Sequence, residues 1–407
     1  MARFAIIVPP LTGHVNPTLG LGAELLRRRQ EVGWISVDTG LRDRLPAGGE
    51  LLPVVYDAAD PEGRQNGEYV SRIAGRDVYG IESIKFLYEE VLMPLNRYMY
   101  KGIGELLDNY VPDVVIHDQQ LFAGAIAAYR RKIPYVTSVT APAAVRVRED
   151  LPGVYAWEQE QVLALQQELG VRGSRYICHS ELLTLLYTSR EFFGEGELPA
   201  HYAFVGPMIR EGGSERGEGA AFDWELFHRM GMEGRPRILI SIGTTFDHQY
   251  KKDFLGKVID AFGGEPLSVV LVTDESLLEE WPLNFMVRNR VPQLSLLPHL
   301  DAVVCHGGHN TVCETLKQGL PLVVLPIAYD QSYVAGLVVR TVSGIRLNFK
   351  RFKPMELRTA VWEVIRDPRY RQAAERVQGS FLKAGGVARA ADLLEKAVEQ
   401  GRMLLSR

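Results

Sequence analysis

Short apolar runs rich in β-branched residues recur along the first half of the chain, at residues 4–8, 32–37, 51–56, 113–117 and 135–139. Helical patterns separate several of them. Residues 17–29 read as one such helix, with Asn16 as a candidate cap and Pro17 in the first turn, where a missing N–H costs nothing. Apolar strands alternating with helices imply a parallel sheet covered on both faces, because parallel strands need crossover connections. Residues 210–221, REGGSERGEGAA, can bury almost nothing and read as a linker. The alternation then restarts with strands at 237–242, 267–272, 302–305 and 321–325, and helices near 250–262, 310–318 and 331–339. The pattern predicts an α/β protein of two Rossmann-like domains facing across a cleft. Their expected extents are 1–207, a linker at 208–235, 236–384, and a closing helix at 385–407.

Composition agrees with two cores: 407 residues, 46% of them hydrophobic and 24% charged. A net charge of −4 gives no polycationic footprint, so nucleic acid and anionic membrane surfaces are not expected partners. Cys178, Cys305 and Cys313 stand in no metal-ligand spacing and read as free thiols of a reducing, cytoplasmic compartment. The run at 4–8 is too short for a signal-peptide core, and no stretch approaches the ~20 apolar residues of a spanning helix. Stable membrane insertion is not expected, and the chain reads as a monomer or homodimer.

Residues 302–331, AVVCHGGHNTVCETLKQGLPLVVLPIAYDQ, hold the densest chemistry. A buried strand ends at Cys305, two glycines make a turn, and a helix begins near His309 or Asn310. Unpaired amides at such a helix start favour an anion, and a diphosphate fits. His306, Asn310 and Thr311 add donors, and Glu314, one helical turn on, can accept from ribose hydroxyls. A plain strand–turn–helix junction is the competing reading of the glycines alone. Asp330 and Gln331 follow the next strand and offer a carboxylate and an amide to vicinal hydroxyls; capping of the next helix is the alternative for Asp330.

The string HGGHNTVCE followed by GLPLVVLPIAYDQ resembles the donor signature of the family 1 glycosyltransferases, which have the GT-B fold and include bacterial antibiotic, macrolide and carotenoid enzymes. The resemblance implies that His306, Gly308, Asn310 and Thr311 hold a pyrophosphate, Glu314 a ribose, and Asp330 with Gln331 a sugar. Upstream, RVPQLSLLPHL resembles the base-contacting segment, with Arg290 and Val291 at its start. Many members carry Trp where Arg290 stands; a guanidinium plane stacks on a base too, and a solvated surface arginine is the alternative. The end of the strand, SIGTT, resembles another donor loop, with Thr244 at the phosphate position and Thr245 beside it. The likeness spans the whole chain, and in the family the last helix returns to the amino-terminal domain. Residues 1–207 are then the acceptor-binding domain and 236–384 the nucleotide-sugar-binding domain.

In PPLTGHVNP, His14 is placed in a turn after the first strand, and neutral imidazole is a base suited to neutral pH. Asp118 follows the strand 113–117 at the matching sheet edge and is the expected orienting partner; His117 points to the opposite face. The motif also resembles the family's catalytic turn. Metal-dependent transferases commonly use Asp-x-Asp, which occurs nowhere here. The expectation is therefore an inverting, metal-independent hexosyltransferase using a UDP- or dTDP-sugar as co-substrate, with no further cofactor. Its acceptor would be a small, largely apolar alcohol of polyketide, macrolide, aromatic or carotenoid type. Residues 79–100 carry many large side chains that divide between core and a wide apolar pocket. A nucleotide-sugar epimerase, a lipid-directed transferase and a catalytically silent nucleotide-sugar-binding helper are the competing readings.

Overall fold

The computed structural model describes residues 1–55, 80–209, 222–231, 234–243, 248–328 and 330–405. These fall into two compact units, one formed by the described residues up to 209 together with 381–405, the other by 222–380. The stretch 210–221 read as a linker lies outside the described residues.

In the first unit, β1 (Arg3–Ile7), β2 (Glu31–Ser36), β3 (Glu50–Pro53), β4 (Val114–Asp118), β5 (Tyr135–Val139), β6 (Thr184–Leu186) and β7 (Tyr202–Phe204) form one sheet in the order β3, β2, β1, β4, β5, β6, β7. Every pairing is parallel. The chain winds outward from β1 in one direction and from β4 in the other, so the order reverses between these two neighbours. Ile7 pairs with His117, which brings the residues after β1 beside Asp118. In open parallel sheets the carboxyl ends of the strands at such a reversal are where ligands settle.

The second unit repeats the plan. β8 (Arg237–Ser241), β9 (Ser268–Val272), β10 (Phe285–Arg288), β11 (Ala302–Cys305), β12 (Leu322–Val324) and β13 (Gly344–Arg346) run in the order β10, β9, β8, β11, β12, β13, again all parallel. The reversal lies between β8 and β11, where Cys305 pairs with Ser241 and His306 follows. This two-sheet architecture is the fold class expected from the alternation.

Each unit has its own core. In the first, Phe4, Ile6, Val32, Trp34, Val114 and Ile116 are buried among one another. The Trp34 indole fits because Gly22 has no side chain: a Cβ there would sit 2.2 Å from the ring. Its N–H donates to the Thr18 hydroxyl at 3.1 Å, so no polar group is stranded. Ala390, Ala391, Leu394, Ala397 and Val398 of the final helix, Gly386–Leu405, belong to the same core. At the rim, Arg28 reaches Asp392 at 2.6 Å and Glu395 at 2.9 Å. The second core gathers Ile238, Ile240, Val269, Leu271 and Val304 under Phe254, Phe262, Leu357 and Val361.

Several local expectations are corrected. The first helix runs Thr12–Arg27, beginning five residues before Pro17, so His14 occupies its first turn and not a preceding loop. Pro17 lies inside the helix and forgoes the bond its amide would make to Gly13, a loss confined to one site near the helix start. Asn16 does not cap; its amide oxygen takes the Arg44 guanidinium. The strands β6, β7, β10 and β13 were not anticipated. Within the span read as linker, Trp224–Met230 is a helix capped by Asp223, whose carboxylate accepts from the Leu226 amide at 2.8 Å. Between residues 80 and 110 an α-helix (Gly80–Phe86) widens into a π-helical stretch (Leu87–Leu92) before resuming at Met93–Tyr110. The wide turn directly precedes Pro94, whose ring and missing N–H oppose regular α-winding.

Candidate active site

Two polar clusters stand at the two strand-order reversals. In the first unit Nδ1 of His14 lies 2.9 Å from Oδ2 of Asp118. The His14 side chain is 14% exposed and that of Asp118 is 0% exposed. A carboxylate only accepts, so Nδ1 carries the hydrogen and the lone pair of neutral imidazole resides on Nε2. Thr140, one residue past β5, joins them: its hydroxyl donates to Oδ2 of Asp118 at 3.3 Å, and its oxygen lies 2.8 Å from Nδ1 of His14. The other carboxylate oxygen accepts from the Gln120 amide at 2.9 Å. Asp118 is thereby held from three directions in a position water does not reach.

His117 is excluded from this chemistry by its own bonds. Its Nδ1 donates to the Asp118 carbonyl at 3.0 Å, and its Nε2 takes the Thr137 hydroxyl at 2.9 Å. Burial pushes the imidazole down to about 4, so it is a neutral strut within the sheet.

In the second unit β11 delivers His306 into a turn. Gly307 has φ +89°, and a Cβ there would meet a Val324 methyl at 2.8 Å. The helix His309–Lys317 then starts, with Gly308 at its cap and no side chain capping it. The His306 ring occupies the space beside two glycines: a Cβ on Gly308 would be 2.7 Å from Nε2, and one on Gly243 would be 3.0 Å from Cε1. Burial lowers this imidazole to about 4, a backbone bond with Ser241 opposing it, so the ring is neutral. Its Nδ1 is buried without a partner among the described residues. Asn310 and Thr311 fall in the first helical turn and are partly exposed. Glu314 comes one turn later, its carboxyl pushed up to about 7 by burial. Nε2 of Gln293 donates to it at 2.6 Å.

The remaining donor candidates are placed unevenly. Arg290 is exposed and Val291 buried, and both lead into the short helix Gln293–Leu296 that carries the Glu314 partner. Asp330 is partly exposed and makes no side-chain cap to the helix Gln331–Arg340. Gln331 is buried, and its amide oxygen accepts from the Ile327 and Ala328 amides at 2.8 and 3.0 Å. The expected pairing of a carboxylate with a whole amide is corrected accordingly: the Gln331 oxygen is committed to the backbone, leaving its N–H groups. Thr244 and Thr245 lie outside the described residues. No group of three His, Cys, Asp or Glu side chains could hold a metal ion among the described residues. Among the helices described, none is long and apolar enough to cross a membrane.

Residues 257–388 match the family model for the C-terminal domain of erythromycin biosynthesis protein CIII-like proteins. Over the full length, the chain is 28% identical to the uncharacterized UDP-glucosyltransferase YojK of Bacillus subtilis, covering 98% of each. It is 26% identical to 4'-demethylrebeccamycin synthase of Lentzea aerocolonigenes, over 98% of this chain and all of that one. Among solved structures, the calicheamicin glycosyltransferase CalG4 aligns with a TM-score of 0.75 at 24% identity over 98% of both chains. The glycosyltransferase VinC, in complex with dTDP, aligns with a TM-score of 0.74 at 20% identity over 98% of this chain and 100% of that one. The chain has the GT-B fold, and the proteins it resembles over its full length are glycosyltransferases.

Two residues of the site are not legible in the sequence. Thr140 is one polar residue among several at the end of β5, and only the adjacency of β4 and β5 shows that it reaches both His14 and Asp118. Gln293 lies inside the segment 290–300, yet its bond to Glu314 links residues 21 apart and needs the fold to be seen.

Proposed function

We propose that this protein moves a hexose from a UDP- or dTDP-sugar to a hydroxyl of a small, largely apolar acceptor in one inverting, metal-independent step. The observation that carries the reading is the His14–Asp118 bond at the reversal of the first sheet. The acceptor hydroxyl is a poor nucleophile until a base takes its proton. His14 Nε2 receives that proton, and the buried Asp118 carboxylate stabilises the resulting imidazolium. The acceptor oxygen forms its bond to the anomeric carbon as the bond to the diphosphate breaks, so configuration inverts.

The departing diphosphate gains charge, and the turn at 306–311 answers it with helix amides and the side chains of His306, Asn310 and Thr311. His306 is kept neutral by burial and has one N–H, which it donates to the diphosphate in the tautomer protonated on Nδ1, the nitrogen without a partner among the described residues. Glu314 accepts from the ribose, and Asp330 with the Gln331 N–H groups engages the sugar. These donors take the place of a divalent cation. The dTDP held by VinC supports a nucleotide-diphosphate donor of this type.

The test is product analysis of the purified protein with UDP- and dTDP-hexoses, offered aromatic, macrolide and carotenoid alcohols in the presence of EDTA. The expected product is the glycoside of inverted anomeric configuration, read from its proton coupling constant. A retained configuration, or transfer that EDTA abolishes, would overturn the mechanism. A silent helper would bind the nucleotide and yield no glycoside, and an epimerase would convert the donor without an acceptor.

A further inference from the structure

A lone carboxylate stands in an aromatic cluster of the first unit. Glu158, on the helix Pro152–Glu168, is hydrogen-bonded to the Tyr88 hydroxyl. The Trp157 ring meets Tyr88 edge-on at 5.5 Å, and Phe122 lies 6.3 Å from Tyr88. Burial pushes the Glu158 carboxyl up to about 7, opposed by the Tyr88 bond, and no lysine or arginine among the described residues offsets it. An acid taken partly out of water without a cation is a costly arrangement. Glu158 and Trp157 nonetheless keep part of their surface exposed, so a partner can arrive from outside.

The cluster is joined to the loop that follows Asp118. Asn96 donates to the Gln120 carbonyl at 2.8 Å and accepts from the Ala123 amide at 2.8 Å, bracing the chain between Asp118 and Phe122. The helices Ala143–Asp150 and Pro152–Glu168 follow Thr140, which touches both His14 and Asp118. Tyr88 and Glu158 therefore stand beside the segments that leave the carboxyl ends of β4 and β5, where a ligand of this sheet is expected. Ring faces and a carboxylate attract the same ligand, an alkylammonium whose charge they share and whose carbons they cover.

We propose that Glu158, with Tyr88 and Trp157, binds a protonated amine carried by the acceptor alcohol, so that aminated acceptors are preferred to their neutral isosteres. The assignment rests on the first unit being the acceptor-binding one.

The test compares two phenols of equal shape, N,N-dimethyltyramine and para-isopentylphenol, by calorimetric titration of the full-length protein at about pH 8, where Glu158 is mostly ionised and the amine protonated. The aminated phenol is expected to bind about tenfold tighter. Glu158→Gln, which keeps the shape and removes the charge, is expected to cancel that preference, and Glu158→Asp to keep part of it. Equal affinities, undetectable binding of both phenols, or a preference that survives Glu158→Gln would each overturn the proposal. dTDP binding and glycoside formation are measured on the same samples. Transfer without an amine preference sinks only this inference, whereas an amine preference without transfer sinks only the proposed function.

Discussion

The Asp118 carboxylate is closed to solvent, yet it lies 2.9 Å from Nδ1 of a partly exposed His14 that is 104 residues away in sequence. The bond selects the tautomer with its lone pair on Nε2. Asp118→Asn keeps the shape but allows the amide N–H to face Nδ1, which favours the opposite tautomer. The expected loss in kcat is about a thousandfold or more. dTDP affinity should be unchanged, because its proposed ligands lie in the other unit. Steady-state kinetics with calorimetry on dTDP check the pair; parallel loss of binding and turnover would contradict the role.

Thr140 acts on the reaction through His14 and Asp118 and is a positioning residue. Thr140→Val is nearly isosteric and removes one hydrogen bond of ordinary strength, so kcat should fall about tenfold with little change in KM. Thr140→Ser restores the hydroxyl and is expected to restore most of the rate. A Ser variant as slow as the Val variant would assign Thr140 to packing.

Much of this fold was legible because strands buried on both faces write themselves as unbroken apolar runs: β1, β5, β8 and β11 lie where those runs lie. The glycine turn after β11 was legible for a related reason, since Gly307 must take φ +89° and Gly308 must leave room for His306. The start of the first helix was misread because Pro17 suits a first turn so well that its place in a helix interior was not considered. Thr140 and Gln293 were hidden because their partners come from strand adjacency and helix packing. Gln331 was half legible: its position beside the sheet edge was seen, while the capture of its oxygen by the Ile327 and Ala328 amides depends on a loop conformation that composition does not encode.

The two glycines of the turn should fail differently. Gly307→Ala forces a Cβ into a positive-φ residue and against Val324, so the expected result is lost stability of roughly 1–3 kcal/mol. Gly308 has φ −58°, which alanine adopts freely, but its Cβ would press on the His306 ring, whose other side is bounded by Gly243. Gly308→Ala should melt close to wild type and bind dTDP at least about tenfold more weakly. Thermal denaturation and calorimetry on both variants separate the effects; unimpaired dTDP binding by Gly308→Ala would show that His306 does not serve the diphosphate.

Burial raises the Glu314 carboxyl from its ordinary 4.5 to about 7, which makes stability depend on pH in a definite direction. The native state holds this proton more tightly than the unfolded chain does, so the favourable contribution is complete below about 4.5 and is lost as pH rises through about 7. Its size is of the order of 3 kcal/mol at most. Glu158, also raised to about 7, acts with the same sign. Denaturant titrations of wild type between about pH 5 and 8 should therefore show stability falling with pH, and Glu314→Gln should remove part of that fall. The same substitution separates fold from function: it should make the protein relatively more stable at about pH 8 while weakening dTDP there, where the native carboxylate is the stronger acceptor for ribose hydroxyls. At about pH 6 the native carboxyl is mostly protonated, and the two proteins should bind dTDP with more nearly equal affinity. A binding difference that stays constant across this range would mean that the Glu314 charge plays no part in holding the donor.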